Sequence, residues 1–383
     1  MARRKSVALI IETASHYGRQ LLSGMLRFKT EQTDWKVLLE ERDLNAPPPR
    51  WLKTWQGDGI ICRLTTPEIS QMALERDIPF VELTDRLPEE VDLVTLRSDD
   101  ASIGTLGAEH FIDRGFRNYA YCGVLAEAWS QRRGAAFKRR IEDDGQTCHH
   151  LELPWYISNE PSQSQVKLVQ WLQQLPKPIG ILAGNDIRAK HILDACITAG
   201  IPVPERVAVL GVDNDELVCK FCEPTLSSIV PSAEEIGYRS AEALDRLMRG
   251  EEVTPLLQLI DPLYVHTRES SDTIAIDDVE LANALVFIRN HACQGITVDD
   301  VLQETRLSRS SLERRTRKLL GRSPQQEIRR AQLKRVKLLL TETDLLIETI
   351  GSQCGFEHPE YLHVMFKREF KMTPGEFRKL ARR

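Results

Sequence analysis

The sequence predicts an α/β protein of two lobes built on parallel sheets, followed by an all-α domain with two helix-turn-helix units. Three observations predict it. Over the first 265 residues, short apolar runs alternate with helix-length segments. From about Thr267 to Asp278 the chain turns polar and reads as a linker. Beyond it, every segment has helical texture. The implied division is a sensing-type domain over 1–266, a linker over 267–278 and a helical domain over 279–383. A chain of 383 residues is long enough to bury two or three cores.

In order, the strand candidates are SVALII (6–11), KVLLE (36–40), GIIC (59–62), FVEL (80–83), LVTL (93–96), NYAYCGV (118–124), IGILAG (179–184), VAVLGV (207–212) and LSSIV (226–230). Helix-length segments lie between them at 17–30, 67–75, 101–114, 130–143, 163–175, 187–199 and 232–249. Apolar, β-branched strands alternating with helices predict parallel sheets covered on both faces. Nine candidates are many for one sheet, which favours two doubly wound lobes. Such sheets bind ligands beyond the carboxyl ends of their strands. Four of those ends are polar: ETASHYGR (12–19), RSDD (97–100), AGND (183–186) and VDNDE (212–216). Carboxylates and amides there suit the vicinal hydroxyls of a sugar. Taken singly, each Asp or Asn is equally a helix cap.

The helical part divides into 278–292, 298–304, 308–320, 324–341, 344–354, 358–370 and 374–381. Thr297, with Asp300 three residues on, caps the second of these, and Ser308 caps the third. Val298, Val301, Leu302, Leu312 and Leu319 point inward, leaving Ser310, Glu313, Arg314 and Arg317 outward. In the later pair, Ile347, Ile350 and Cys354 are buried and Gly355 ends the helix. His358 opens the next helix, which turns Tyr361 or Leu362 inward with Met365 and Phe366, and Pro359, Glu360 and His363 outward. Two short helices separated by three or four residues have the helix-turn-helix spacing, whose second helix fits a major groove.

Charge supports a polyanion partner for this part. Residues 277–383 hold 20 Lys and Arg against 15 Asp and Glu, while the remainder holds 31 against 41. Segment 304–337 alone carries 12 basic and 3 acidic residues. A positive block beside an acidic body is the footprint of a nucleic-acid module. No run of 18 apolar residues is present, and the apolar run near the start is too short for a signal peptide, so a cytoplasmic protein with no membrane partner is expected. Eight scattered Cys fit a reducing compartment, and the pair Cys219 and Cys222 reads as packing. No dinucleotide fingerprint, phosphate loop, zincin motif or nucleophile elbow occurs, so no enzyme, cofactor or metal is expected.

The stretches LSRSSLERRTRKLLGRSP, IRRAQLKRVKLLLTETDLLIETIGSQCGF and FKREFKMTPGEFR resemble the AraC/XylS family of transcription regulators, over about the last hundred residues. This implies double-stranded DNA as partner, base reading by Ser310, Glu313, Arg314, Pro359, Glu360 and His363, and supporting contacts from Arg309, Arg317 and His358. Thr316 departs from the family pattern, which has an aromatic residue there. The stretches GILAGNDIRAKHIL, IPVPERVAVLGVDNDELVCKFCEPTLSSIV and AEEIGYRSAEALDRLMRG resemble the LacI-type, periplasmic-binding-protein-like sugar sensors. That family carries its DNA-binding helices ahead of the sensor; here such helices follow it. The resemblance implies a small sugar effector, xylose or a related pentose, held by Asp213, Asn214, Asn185, Asp186, Arg133, Asp99 or Asp100, with Glu12, His16 and Arg19 from the first loop and Trp129 against the sugar face. Together the two resemblances imply a homodimeric, sugar-responsive activator of pentose-catabolism genes that works with RNA polymerase.

Overall fold

Parallel strands cannot be joined by tight hairpins, so each must return through a crossover, usually a helix. The first 272 residues are organised this way. The computed structural model describes residues 3–43, 46–63, 65–84, 93–155, 161–273, 275, 278–320, 322–356 and 358–381. The chain divides into two compact units, residues 1–199 with 208–272, and residues 200–207 with 273–383.

In the first unit, β1 (Ser6–Ile10), α1 (His16–Gln32), β2 (Lys36–Leu39), β3 (Gly59–Cys62), α2 (Pro67–Glu75), β4 (Phe80–Glu82) and β5 (Val94–Ser98) begin one lobe. The chain then enters a second lobe: α3 (Asp100–Ile112), β6 (Tyr119–Val124), α4 (Ala128–Asp143), β7 (Cys148–Leu153), α5 (Pro161–Gln174), β8 (Ile179–Ala183), α6 (Asp186–Thr198), β9 (Val207–Val212), α7 (Glu216–Phe221) and β10 (Ser227–Val230). It returns through α8 (Ala233–Leu247) and β11 (Leu257–Ile260), and finishes with β12 (Tyr264–His266) in the second sheet. The sheet orders are β11-β5-β4-β3-β1-β2 and β12-β10-β9-β8-β6-β7. The first is parallel throughout; in the second, β12 runs antiparallel to β10. The chain thus passes between lobes three times, after β5, after β10 and after β11.

Successive side chains of a strand point to opposite faces, and β1 shows both faces covered. Val7 and Leu9 pack with Leu21, Phe28 and Leu244, whereas Ala8 and Ile10 pack with Ile60, Ile69 and Phe80. A two-sided core of this kind explains the continuous apolar runs.

Three strands, and the short helix α7, exceed the sequence expectation. β7 reads CHHLEL, with exposed His149 and His150; β11 and β12 are four and three residues long with exposed positions. All three are edge strands, which bury little and leave a weak apolar signal. The expected linker also begins later than its composition suggests. Ser270 and Ser271 are fully buried, Ser270 Oγ donates to Val209 O at 2.7 Å, and Glu269 Oε2 accepts from Thr225 N and Oγ. Small polar residues there satisfy second-lobe backbone groups, a use that composition does not distinguish from a solvated linker.

The second unit contains α9 (Val279–His291), α10 (Val298–Gln303), α11 (Arg309–Leu320), α12 (Pro324–Glu342), α13 (Ile347–Gln353), α14 (Pro359–Phe370) and α15 (Pro374–Ala381). It has two separate cores. Leu281, Leu285, Ile288, Val301, Leu312 and Ile328 form one; Leu333, Val336, Leu340, Ile350, Leu362 and Phe366 form the other. α12 contributes to both.

Candidate ligand cleft and nucleic-acid interface

Charged residues follow the carboxyl ends of strands in both lobes. At the end of β1, Glu12 is buried, and its Oε1 accepts from Ser15 Oγ at 2.7 Å and pairs with Arg63. Its Oε2 has no partner among the described residues. The same Ser15 hydroxyl caps α1 by accepting from Gly18 N at 3.0 Å. Gly18 lies so close to Glu12 that a Cβ would stand 2.1 Å from the Glu12 carbonyl oxygen. Arg63 follows β3 and lies over the Tyr17 ring, 4.7 Å from its centroid. Tyr17 is bonded to Ser98 at 2.9 Å, and burial pushes its hydroxyl up to about 12, so it stays a neutral hydrogen-bonding group.

The second lobe contributes an arginine cluster around Asp100. That buried carboxylate accepts from Arg133 Nε at 2.9 Å and Arg132 Nη2 at 2.7 Å, with Arg97 of β5 at 3.5 Å. Arg133 is itself buried, donates to Gly184 O at 2.8 Å and lies 4.7 Å from the Trp129 ring centroid. Trp129 meets Trp155 edge to face at 5.6 Å and donates to Glu127 Oε2 at 2.9 Å.

Asp213 lies in the electrostatic reach of both halves. It is half-buried just past β9, with φ of 105°, and Asn214 follows at 48°. Two consecutive left-handed residues other than Gly are a strained backbone of the kind held at binding sites. Burial pushes the Asp213 carboxyl up to about 6, against the pull of Arg133 from the second lobe and Arg63 from the first. Charges of both lobes thus act on one carboxylate, while Arg63 itself pairs with Glu12 and Arg133 with Asp100.

The other expected ligand residues are placed as follows. Asp99 caps α3, accepting from Ala101 N at 2.9 Å and Ser102 N at 3.0 Å. Asn185 caps α6 by accepting from Arg188 N at 2.9 Å. Asp186 is buried and its pKa is raised well above the usual carboxylate range by burial; its oxygens take Ser228 Oγ at 2.5 Å and Asp215 N at 2.7 Å. It holds up the loop that carries Asp213. Asn214 Oδ1 accepts from Arg268 Nη2 at 2.9 Å. His16 is half-buried in the first turn of α1, and Arg19 is exposed, bracing the loop through Thr13 O and Ala14 O, both at 2.9 Å. Arg63, Tyr17, Ser98, Arg132, Trp155 and Arg268 contact these residues or one another and were outside the sequence expectation. Arg63 was findable, because the strand-end rule used elsewhere applies equally to GIICR. Arg268 was hidden by the linker-like composition around it.

In the helical unit, Thr297 and Asp300 form the expected capping box and Ser308 accepts from Ser311 N at 3.3 Å. Arg309, Ser310, Arg314 and Arg317 are exposed. Arg309 pairs with Asp299, and half-buried Glu313 lies 3.6 Å from Arg317. His358, Glu360 and His363 are exposed, and Pro359 opens α14. Of Tyr361 and Leu362, Leu362 is the buried one; Tyr361 is 45% exposed. Thr316, at the departing position, is fully buried, and its hydroxyl has no partner among the described residues. A buried unpaired hydroxyl costs about 1–3 kcal/mol, so the first core carries a defect.

Comparison with known proteins matches residues 6–92 to the XylR N-terminal domain, 108–271 to a periplasmic binding protein-like domain and 301–380 to a helix-turn-helix domain. The chain is 32% identical to the xylose operon regulatory protein of Escherichia coli (strain K12), over 98% of this chain and 97% of that one. It is 31% identical to the protein of that name from Haemophilus influenzae, over 97% of both. A solved structure of the xylose-binding transcription activator XylR is similar with a TM-score of 0.83, 30% identity and 99% coverage of each chain. The CelR–cellobiose complex, at 19% identity over 70% of this chain with a TM-score of 0.59, shares the fold alone.

Proposed function

The chain belongs to the family of xylose operon regulatory proteins, and we propose from that premise that xylose fills the cleft around Asp213 and switches operator binding by the helical unit. The chain is a sugar-responsive transcription regulator with a helix-turn-helix DNA-binding domain, not an enzyme. The observation that carries the sugar assignment is the pair of ion pairs at the strand ends of the two lobes, Glu12 with Arg63 and Asp100 with Arg133, together with the strained loop that carries Asp213. Ionised carboxylate and guanidinium groups together accept from and donate to neighbouring hydroxyls. Glu12 Oε2 offers a further buried acceptor, and the Trp129–Trp155 pair an apolar wall. A sugar that touches both lobes favours the closed arrangement by the difference in its contacts.

The route outward starts at the site. Asn214, next to Asp213, is held by Arg268, whose Nη1 also donates to Leu226 O at 2.9 Å. Four residues later the chain leaves the first unit. Movement of the 213–215 loop is thereby passed to the segment that leads to the helices. Arg268→Met is expected to keep the sugar-induced thermal shift and to reduce the sugar effect on operator affinity about tenfold, measured by fluorescence anisotropy with and without xylose. An unchanged sugar effect refutes this route.

Two copies bound side by side would address two half-sites, each reading two major grooves, and would present a surface to RNA polymerase from the upstream side. Among the described residues no helix is long and apolar enough to cross a membrane, in keeping with action on chromosomal DNA. The proposal is tested by titrating an operator fragment from the promoter of a xylose-utilisation operon at several salt concentrations, with xylose and with other monosaccharides. Xylose tightens binding, and log K falls linearly with log salt at a slope of about −0.9 per phosphate contact. A flat salt response, or a response to every sugar alike, defeats the proposal.

A further inference from the structure

The two cores of the second unit are oily, and oily contacts are non-directional. The continuous helix α12 joins them, and directional contacts along it refine the angle between them. The seam lies on α12, where Ile328 belongs to one core and Leu333 to the other. Between them sits Gln332, 2% exposed. Its Nε2 donates to Ala292 O at 2.8 Å and to Gly355 O at 3.2 Å, and its Oε1 accepts from Arg329 Nη1 at 2.8 Å. Ala292 follows α9 of the first half; Gly355 ends α13 of the second. One buried amide therefore uses both N–H groups and its oxygen to bind three places in the fold.

The surroundings leave little room for an alternative. Gly355 has φ of 74°, and a Cβ there would lie 2.8 Å from Gln332 Nε2, 2.8 Å from Gly295 N and 2.9 Å from Cys293 O. The turns that follow α9 and α13 thus abut under the amide. Arg329 carries the arrangement onward: its guanidinium lies 5.1 Å from the Phe356 ring centroid and 4.7 Å from that of Tyr361 in α14. Hydrogen bonds require angle as well as distance, so this set specifies an orientation that the two cores do not.

We propose that Gln332 is the positioning residue that fixes the two groove-reading helices relative to each other and so sets the subsite spacing this protein accepts in DNA. The inference rests on the DNA-binding reading above. One base pair moves a subsite roughly 3.4 Å along and about 35° around the duplex, so a rigid pair of readers discriminates spacing and a loosened pair does not.

The test uses the full chain with xylose. A cognate duplex is selected from random-sequence DNA with the unmodified protein, then remade with one base pair added or removed between the two subsites of a half-site. The unmodified protein is expected to prefer the selected spacing by about 30-fold or more. Gln332→Met keeps the volume and removes the bonds; it is expected to lose about tenfold on the selected spacing and little on the altered ones, so the preference falls to about threefold. Equal loss on all spacings, or an unchanged preference, overturns the proposal, because a residue that merely stabilises the fold weakens every duplex alike. If Gln332→Met does not fold by circular dichroism, Arg329→Met carries the test: it keeps both carbonyl bonds but frees the amide and the aromatic stack, and the preference must still relax. Failure to select any sequence sinks the DNA-binding reading itself, and this inference with it.

Discussion

Replacing Asp213 by Asn is expected to abolish the response to xylose while making the sugar-free protein more stable. Asn is the right substitute because it tolerates positive φ, so the backbone at 105° is kept and only the charge is lost. The carboxyl is pushed up to about 6, chiefly by burial. Its ionised form is therefore disfavoured in the folded state. Between the ordinary carboxylate range and about pH 6 the folded state holds a proton that the unfolded state has released, so this group's contribution to stability falls as pH rises through that window. Above it, with allowance for partial solvent screening, the penalty is on the order of 1–2 kcal/mol. Removing it raises the melting temperature by about 2–4 °C at neutral pH. Sugar hydroxyls donate to the ionised form, so binding draws the pKa down, and affinity of the unmodified protein falls progressively below about pH 6. In Asp213→Asn the loss of charge-assisted bonds weakens binding by about 100-fold or more, and millimolar xylose no longer shifts the melt. Scanning calorimetry with and without sugar reads both effects. A variant that still shifts with xylose removes Asp213 from the site.

Phe366→Ala is expected to destroy specific operator binding and leave the sugar response intact. Phe366 is fully buried in the second helical core, with Phe370 at 4.5 Å and Phe377 at 5.6 Å between ring centroids. Truncating such a ring costs about 3–5 kcal/mol, by lost burial and the cavity left behind. Domains of this size are stable by only about 5–15 kcal/mol, and this core has no spare layer: Leu362, Met365 and Ile350 all touch the same cluster. α14 then loses its seat, and operator affinity drops to the non-specific level, about 10³-fold or more. Residual binding stays salt-dependent, because phosphate contacts from the rest of the basic block remain. Anisotropy titration against operator and scrambled duplexes separates the two cases. Operator affinity within threefold of the unmodified protein contradicts this account of the core.

The helical unit was read from the sequence almost residue by residue. Each α11-type or α14-type helix is set by caps, spacing and one apolar stripe, all local: Thr297 with Asp300, Ser308, and Gly355 at the helix end. The ambiguity between Tyr361 and Leu362 was not local, because adjacent residues on a helix straddle the edge of a buried stripe, and the position of Ile350 and Phe377 decides which turns in. In the sensing unit the central strands were legible because burial on both faces makes them uniformly apolar, whereas β7, β11 and β12 at the sheet edges were not.

The proposed ligand residues show the division sharply. Strand-end polarity pointed to Glu12, Asp100 and Asp213 as groups of interest, yet the same signal flagged Asp99 and Asn185, which the structure uses as helix caps. A cap and a ligand residue have the same composition and the same place after a strand.

From its sequence alone this protein was determined to be an α/β sensor joined to a pair of helix-turn-helix units, since periodicity, caps and charge blocks are written by residues a few places apart. Only the tertiary structure decided that Arg63 pairs with Glu12 and Arg133 with Asp100, that Arg268 bonds Asn214 rather than lying in a linker, and that Gln332 bonds both Ala292 and Gly355. Those relations join residues 23 to 54 positions apart, and the packing of whole elements sets them. Local sequence carries no record of which distant strand end a side chain will face.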